Sequence, residues 1–230
     1  MKIEKLPFGV RLIVLVRKLQ RFNWKFNFND FKFSYFIHSY NRTYNNERSV
    51  EISLAKYFYS KCGTDKSCLE LGNVTSHYLK KPKIVIDKYE IASGVTNIDF
   101  LDFESDVDYD FISISTIEHI GHDESKRYSH LNDSASAQRK ENIQLQVFNK
   151  IYDITASDSK VLITIPLGYN RELDNFITNF DLSDLSIGCL ARVSSTNCWR
   201  QCSLEEGLNQ PYSGTYPAAN AIAILYRNLF

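Results

Sequence analysis

Ser67–Asn73 has the sequence SCLELGN, and Lys83–Asp87 has the sequence KIVID. Both are short apolar runs with an acidic residue at or near their end, and a glycine follows the first run. This is the pattern of two neighbouring parallel strands in a βαβ unit, where a tight turn follows the first strand and a carboxylate stands at the tip of the second. The two runs therefore predict a parallel α/β sheet with a binding site at the carboxyl ends of its strands.

The turn after the first run contains a single glycine, Gly72, where a dinucleotide-binding loop has G-x-G-x-x-G. The additional glycines of that loop let backbone amides approach a pyrophosphate. A ligand with a ribose and no diphosphate, such as S-adenosylmethionine (SAM), does not need them. Asp87 can accept both hydroxyls of a ribose, and Glu70 can receive an ammonium group. An ordinary tight turn at Gly72 and a helix cap at Asp87 are the structural alternatives.

From Glu47 onward, apolar runs of strand length alternate with segments of helical periodicity. This alternation predicts a mostly parallel sheet. The polar residues 125–138 predict a long loop or lid. The pattern predicts helices over 51–59 and 142–154, and strands over 68–71, 84–86, 96–98, 110–115, 160–165, 188–193 and 221–226.

The composition narrows the class of protein. The 230 residues include 27 basic and 27 acidic side chains, so no long-range field attracts nucleic acid. The five cysteines have irregular spacing, which indicates free thiols in a reducing cytoplasm. No apolar run approaches the roughly 18 residues of a membrane-spanning helix. We therefore expect a cytoplasmic protein that binds no nucleic acid and at most contacts the inner face of a membrane.

The first part of the chain differs in composition from the remainder, and we divide it into an N-terminal basic and aromatic extension, residues 1–46, and a domain, residues 47–230. Basic residues alternate with Leu12–Val16 and Leu19 at near-helical spacing, and an aromatic run follows between positions 22 and 36. A basic amphipathic helix of this kind can lie on an anionic membrane surface. Alternatively the segment packs on the core or on a second copy of the chain, which its large aromatic surface favours.

Ser115–Glu124, with the sequence STIEHIGHDE, directly follows the predicted strand 110–115. Ligands of open α/β sheets bind beyond the carboxyl ends of the strands. A histidine can remove a proton near neutral pH, so His119 is a candidate general base, and Glu118 can orient it or act as the base itself. The pair His119 and His122 also has a spacing suited to a metal on one helix face. We expect no metal, because the sequence specifies no third ligand.

Together these segments resemble the class I SAM-dependent methyltransferases, most closely the small bacterial members found with surface-polysaccharide genes. The resemblance implies a Rossmann-like sheet, mostly parallel with an antiparallel C-terminal strand and with helices on both faces, and SAM as the cosubstrate. The reduction of the glycine-rich loop to one glycine departs from many members of the family, and residues 1–45 have no counterpart in it. The resemblance is carried by NERSVEI (46–52), LELGNV (69–74), DKYE (87–90), SISTIEHIG (113–121), PLGYN (166–170) and PAANAI (217–222).

The resemblance also implies roles for individual residues. It implies that Ser115–His119 face the transferred methyl group, with His119 and Glu118 as the catalytic residues. Arg48 or Arg192 would suit a phosphate or carboxylate on the acceptor. The residues expected to bind the cofactor are Glu70, Gly72 and Asn73 of the first motif, Asp87 and Lys88 at the ribose, Asp99 and Phe100 at the adenine, and Ser115. The candidates for holding the acceptor are Glu47, Arg48, Tyr169, Asn170 and Trp199.

The sequence thus predicts a SAM-dependent O-methyltransferase in capsule or surface-polysaccharide biosynthesis. Its acceptor would be of carbohydrate type, namely a sugar, a nucleotide-sugar or a phosphorylated precursor. The single glycine at Gly72 keeps an alternative open, a catalytically silent protein of the same fold that binds a partner. An NAD-linked oxidoreductase is disfavoured by the missing glycines.

Overall fold

An eight-stranded sheet with helices on both faces forms the body of the protein in a computed structural model. The structure describes residues 8–20, 23–63, 65–80, 84–123, 142–182 and 184–230. The helices are α1 Phe8–Gln20, α2 Arg48–Lys61, α3 Ile143–Asp153, α4 Arg171–Asn179 and α5 Leu204–Leu208. The strands are β1 Lys25–Phe28, β2 Phe31–Ser34, β3 Ser67–Leu71, β4 Ile84–Ile86, β5 Val95–Thr96, β6 Tyr109–Ile114, β7 Val161–Pro166, β8 Ser186–Arg192, β9 Trp199–Cys202 and β10 Ala221–Arg227.

The strand order of the large sheet is β5-β4-β3-β6-β7-β10-β8-β9. The strands β5, β4, β3, β6 and β7 pair in parallel, and β10 is inserted antiparallel between β7 and β8. This confirms the predicted fold class, a mostly parallel Rossmann-like sheet with an antiparallel C-terminal section. The order of the strands reverses between β3 and β6, and such a switch point opens a crevice at the carboxyl ends of the two strands.

Alternate residues of the central strands fill two separate cores, one on each face of the sheet. On β6, Phe111 packs into the core beneath α3 and α4, whereas Ile112 and Ile114 pack into the core beneath α2. Side chains of a strand point alternately to opposite faces, so a strand that is buried on both faces is apolar throughout. This explains why β6 and β7 are mainly apolar and are recognisable as strands in the sequence.

Most predicted elements lie within a few residues of the observed ones, and the differences have local causes. The strand predicted over 96–98 is β5, Val95–Thr96, because Asp99 accepts a hydrogen bond from the amide of Leu101 and starts a 3₁₀ turn. The hairpin of β1 and β2, the edge strand β9 and the helices α4 and α5 were not predicted. The loop predicted over 125–138 lies outside the described residues.

The aromatic run forms the hairpin of β1 and β2, which packs on the sheet. Phe26, Phe28 and Phe33 are buried in the same core as α2. The ring of Phe28 lies where a side chain on Gly188 would stand, since a Cβ there would be 2.6 Å from the ring. The hairpin therefore shares its core with the domain that follows it.

Helix α1 differs from the hairpin, because its apolar side chains face solvent. Leu12, Leu15 and Leu19 are 49%, 54% and 70% exposed. The hairpin thus packs on the core, as one of the two expectations for this segment has it, whereas this face of α1 is left for a membrane surface or a second copy of the chain. Among the described helices, none is long and apolar enough to span a membrane.

Candidate functional site

A cleft of about 200 Å³ lies at the carboxyl ends of β3, β4 and β6, at the switch point of the sheet. It is the position where open α/β sheets bind their ligands. Most of the residues predicted to bind a cofactor line this cleft. They are Gly72, Asn73, Asp87, Lys88, Asp99, Phe100 and Ser115, and they are joined by Arg48, Leu71, Val74, Tyr89, Glu90, Ile98, Thr116, His119 and Ile120.

Gly72 forms the floor of the turn after β3 and has to be a glycine. Its φ is +82°, and a Cβ at this position would stand 2.2 Å from Oγ1 of Thr116. The amide of Gly72 donates to the carbonyl of Ile86 at 2.8 Å. The turn is therefore pressed between the tips of β4 and β6, which brings the three strand ends to one cleft.

Glu70 does not line the cleft, although it was predicted to receive a ligand ammonium group. Its carboxylate is fully buried and accepts the amides of Val74 and Thr75, at 3.1 and 2.5 Å, and the hydroxyl of Thr75 at 2.8 Å. These hydrogen bonds fix the turn after β3 to the buried carboxylate. The prediction missed this because it depends on where the backbone amides of the turn point.

Asp87 joins the loops that follow β3 and β4. One carboxylate oxygen accepts the amide of Asn73 at 3.0 Å, and the other accepts the amides of Tyr89 and Glu90 at 2.9 and 2.8 Å. A carboxylate has about four lone-pair positions, so three of them are used by the backbone. Asp87 lines the cleft with its position fixed before any ligand arrives.

Glu90 is a cleft residue for which the sequence analysis gave no role. Its Oε1 accepts from Nδ2 of Asn73 at 2.8 Å and lies 3.2 Å from Nε2 of His77. The amide oxygen of Asn73 is buried and has no hydrogen-bond partner among the described residues. Glu90 therefore adds an acceptor carboxylate to the cleft, and the amide oxygen of Asn73 lies buried in the cleft's wall. The only sequence signal for the position of Glu90 in the cleft was a carboxylate three residues after Asp87.

The predicted adenine contacts lie together at the far side of the cleft. Asp99 accepts the amide of Leu101 at 3.1 Å through one oxygen and lies 3.2 Å from Nζ of Lys88 through the other. Phe100 is 3% exposed, and its ring centroid lies 5.9 Å from that of Phe111. The ring thus forms a wall of the cleft that is held by the core.

His119 stands at the end of a 3₁₀ turn that follows β6, in contact with an acid and a phenol. Its Nδ1 lies 2.9 Å from Oδ1 of Asp123, and Oδ2 of Asp123 accepts the hydroxyl of Tyr169 at 2.5 Å. The rings of His119 and Tyr169 meet edge to face with centroids 5.0 Å apart. Because a carboxylate only accepts, the ring donates through Nδ1, and in the neutral imidazole the lone pair is then on Nε2. The pairing with Asp123 was not predicted from the sequence.

Glu118 is buried beside this histidine. Its side chain is 2% exposed, Oε1 lies 3.6 Å from Nε2 of His119, and Oε2 has no hydrogen-bond partner in the described part of the chain. Burial raises the pKa of Glu118 to about 8, and Arg48 nearby lowers it by less than burial raises it. The carboxyl group is therefore mostly protonated at neutral pH.

Three buried carboxylic acids surround Arg48 at the inner side of the cleft. Glu51 lies 2.5 Å from Nη1 of Arg48 and also accepts the hydroxyls of Ser115 and Thr164, at 2.6 and 2.7 Å. Burial lowers the pKa of Arg48, but the charges of Glu51, Glu47 and Glu118 outweigh it and raise the pKa above its usual value. The guanidinium is thus already neutralised by its own neighbours.

Glu47 and Ser115 take part in this arrangement. Glu47 is buried and accepts the amide of Ala219 at 3.2 Å, and its pKa is raised by burial and by the charge of Glu51. Ser115 has a φ of +41°, a strained conformation for a residue with a side chain. Its hydroxyl donates to Glu51, so the strand end and the start of α2 are joined at the cleft.

Asn170, Trp199 and Arg192, three of the predicted acceptor contacts, have structural roles. Asn170 caps α4 by accepting the amides of Glu172 and Leu173, at 3.1 and 3.2 Å, and donates to the carbonyl of Glu118 at 2.9 Å. Trp199 is buried in the core beneath α2. Arg192 donates to four backbone carbonyls, those of Ser194, Asn45, Pro217 and Ser195. None of these three side chains lines the cleft.

An aromatic turn of the N-terminal segment packs beside His77, which contacts the cleft residue Glu90. The ring of Tyr40 stacks on that of His77, with centroids 4.7 Å apart, and packs edge to face on Tyr78. Burial and the charge of Glu90 raise the pKa of Tyr40. The segment before α2 is therefore joined to the cleft through His77 and Glu90.

No group of three metal-ligating side chains occurs within the ranges that the structure describes. Of the cluster considered in the sequence, His119 pairs with Asp123 and the ring of His122 packs near Tyr169. Glu124 lies outside the described residues.

No protein-family model and no curated protein sequence matches this chain. Solved structures with a similar fold include the plantazolicin methyltransferase BpumL in complex with a triazolic desmethylPZN analog and SAH, at 15% identity over 78% of this chain and 83% of that chain, with a TM-score of 0.42. A candidate methyltransferase from Streptococcus mutans, SMU.1697c, in complex with SAH has 16% identity over 76% and 97% and a TM-score of 0.40. The glycopeptide N-methyltransferase MtfA complexed with sinefungin has 12% identity over 76% and 85% and a TM-score of 0.35. These are likenesses of fold alone, so a function has to be argued from the cleft.

Proposed function

We propose that this chain is a SAM-dependent methyltransferase that methylates a hydroxyl group of a carbohydrate-type acceptor. The observation that carries the proposal is the juxtaposition of two features in one cleft. Acceptor oxygens of Asp87, Glu90 and Asp99 stand at the strand tips, and the paired His119 and Asp123 stand beside them. The first feature suits a nucleoside with a positively charged side arm, and the second suits removal of a proton.

The cleft fits a ligand without a diphosphate. Between β3 and β4 the described residues form only a 3₁₀ turn, Thr75–His77, so they provide no long helix whose N-terminus could receive phosphates. Acidic side chains along the same cleft would repel a diphosphate and would accept hydrogen bonds from hydroxyl, amino and ammonium groups. SAM carries all three kinds of donor.

Individual residues can be matched to parts of this cosubstrate by their chemistry. Asp87 and Glu90 would hold the ribose hydroxyls, and Asp99 would accept the adenine amino group with Phe100 against the ring. The buried amide oxygen of Asn73 that has no hydrogen-bond partner among the described residues would accept from the ammonium group, the role predicted for Glu70. When bound, SAM supplies a methyl group already activated by its sulfonium.

His119 would act as the general base. Nε2 would take the proton of the acceptor hydroxyl as that oxygen receives the methyl group. Asp123 fixes the ring through Nδ1 and stabilises the positive charge that forms on it. Tyr169 donates to the second oxygen of Asp123 at 2.5 Å, so it positions the pair.

The charges around the site favour a neutral acceptor group. Arg48 is the guanidinium expected to bind a phosphate, but Glu51 already pairs with it, and Glu47 and Glu118 lie close. An anionic group on the acceptor would meet these acids. Within the predicted acceptor classes, a sugar hydroxyl without a neighbouring phosphate is therefore favoured. The sequence resemblance extends the proposal to capsule or surface-polysaccharide biosynthesis.

Calorimetric titration with S-adenosylhomocysteine tests the cosubstrate. We expect binding to the wild type, a dissociation constant weakened roughly 10- to 100-fold in Asp87→Ala because charged hydrogen bonds are lost, and no change in Asp102→Ala. Asp102 is an exposed acid nearby that does not line the cleft, so it is the matched control.

Three results would overturn parts of this proposal. Absence of binding at millimolar S-adenosylhomocysteine removes the SAM site. Micromolar binding of NADH in its place favours an oxidoreductase. Binding without methyl transfer to any glycan precursor, in a mass-spectrometric screen of cell extracts with labelled SAM, favours the catalytically silent alternative.

A further inference from the structure

Helix α1 leaves an apolar face exposed at the N-terminus of the chain. We propose that α1 docks the protein on an anionic lipid bilayer, lying in the plane of the headgroups with its apolar side chains inserted. This inference goes beyond the proposed reaction and does not depend on it. It is carried by the exposure of α1, by the distribution of charge along the chain and by the length of the helix.

The exposed apolar residues of the chain are concentrated in and next to α1. Leu12, Leu15, Val16 and Leu19 follow the i, i+3, i+4, i+7 spacing of one helix face, and each is between 41% and 70% exposed. Trp24 and Phe31 follow at 39% and 37%. Ile13, at 47%, adjoins this helix face, and the remaining exposed large apolar side chains in the described ranges are scattered singly, as is usual on a protein surface. A continuous apolar face of this kind indicates an interaction site.

Charge separates the N-terminal segment from the remainder. Residues 1–25 contain seven basic residues and one acidic residue, whereas residues 26–230 contain the other 20 basic and 26 acidic residues. Residues 1–25 therefore have a net charge of +6, and residues 26–230 have one of −6. An anionic surface attracts the segment and repels the body, which orients the protein with α1 toward the lipid.

The positive charge of residues 1–25 and the length of α1 favour a lipid bilayer over a second copy of the chain as the binding partner of α1. Two copies of the segment would bring two net charges of +6 together, so self-association through α1 is opposed by repulsion. The 13 residues of α1 extend for about 20 Å, less than the roughly 30 Å hydrocarbon core, so the helix can lie on a membrane and cannot cross it. Trp24, just beyond the helix, is of the residue type that prefers the headgroup region.

Vesicle co-sedimentation of the full chain tests the proposal. The probes are vesicles of phosphatidylcholine with 30% phosphatidylglycerol and vesicles of phosphatidylcholine alone. We expect the wild type to partition to the anionic vesicles at least roughly tenfold more strongly, and this preference to fall as salt is added. Leu12→Asp/Leu15→Asp should lose at least about tenfold of that partitioning.

The matched control is Ile91→Asp/Val107→Asp. It adds the same two charges and removes two exposed apolar side chains, at 85% and 59% exposure, outside α1. We expect its partitioning to equal that of the wild type. Thermal melts of both variants show whether they fold, and since all four positions are exposed, melting temperatures close to that of the wild type are expected.

The outcomes separate the possible occupants. No binding to the anionic vesicles at low salt overturns the proposal, as does equal binding to both kinds of vesicle. An equal loss in the control variant also overturns the proposal, because net charge and not the apolar face of α1 would then govern binding. A dimer in sedimentation equilibrium that Leu12→Asp/Leu15→Asp dissociates would assign the face to a second copy of the chain.

Discussion

Replacement of the buried acid Glu118 by glutamine should change how the stability of the protein depends on pH. Glu118 is 2% exposed, and burial raises its pKa from 4.5 to about 8. Between these two values the folded chain keeps a proton that the unfolded chain has released. Unfolding then releases a proton, so the stability contributed by this group is fully present below pH 4.5 and is lost as pH rises toward 8.

The magnitude follows from the two pKa values. Each pH unit over which one state holds one more proton changes the free energy of unfolding by about 1.4 kcal/mol. Between pH 5 and pH 8, pKa values of 4.5 and about 8 correspond to roughly 2.5 such units. The wild type should therefore lose roughly 3–4 kcal/mol relative to Glu118→Gln over this range, because glutamine does not titrate.

Urea denaturation of both proteins at pH 5, 6, 7 and 8 measures this difference. A constant offset between them is expected from the buried amide and does not matter, because the prediction concerns its change with pH. Ile151→Val is the matched control: it removes one methylene from the fully buried Ile151 and should cost about 1 kcal/mol. Since it changes no titratable group, its offset from the wild type should be the same at every pH.

A change of less than about 1 kcal/mol in the offset of Glu118→Gln between pH 5 and 8 would refute the argument. It would mean that the carboxyl group is solvated or paired in solution, and that the site carries a full negative charge beside His119 at neutral pH.

Two further substitutions test the base and the frame of the site. His119→Ala should lower turnover by roughly 100-fold or more while leaving the affinity for S-adenosylhomocysteine nearly unchanged, since it removes a proton acceptor and no cosubstrate contact; wild-type rates of methyl transfer from labelled SAM would pass the role of base to Glu118 or to solvent. Asn170→Ala should lower the free energy of unfolding in urea by about 1–2 kcal/mol, because it removes the cap of α4 and the bond to the carbonyl of Glu118. Asn179→Ala, at the exposed end of the same helix, should cost less than about 0.5 kcal/mol, and equal losses in the two variants would show that the cap is not a special contact.

The sheet could be predicted from the sequence because its strands are buried on both faces. In a strand such as β6 the apolar residues Phe111, Ile112 and Ile114 serve both cores, and the polar residues that follow the strand mark the mouth of the cleft. Gly72 and Asp87 were recognised for the same reason, since a glycine and an acid directly after apolar runs are local signals. The fold class and the position of the cleft follow from such signals alone.

The roles of several side chains depend on distant backbone groups and could not be predicted. Glu70 and Asp87 look alike in the sequence, since each is an acid at the tip of a strand. The amides of Val74 and Thr75 turn back over Glu70 and bury it, whereas Asp87 stays at the cleft. Asn170 directly precedes α4, which was not predicted, so nothing in the sequence pattern indicated that this residue caps a helix. Alternation of Phe26 and Phe28 was a signal for the hairpin that was interpreted only as apolar surface.

The buried acids determine the charge around His119, the proposed base. Glu51 is paired with Arg48, so the two charges cancel. Glu118 stands 3.6 Å from Nε2 of His119, and were it ionised there, it would favour the protonated ring, which cannot accept a proton. Its raised pKa keeps it neutral at neutral pH, so Asp123 provides the negative charge that meets the ring, through Nδ1 and on the side away from the lone pair. Burial of Glu118 therefore keeps a second negative charge away from the ring, and the loss of stability between pH 4.5 and about 8 is the thermodynamic sign of the same neutral carboxyl group.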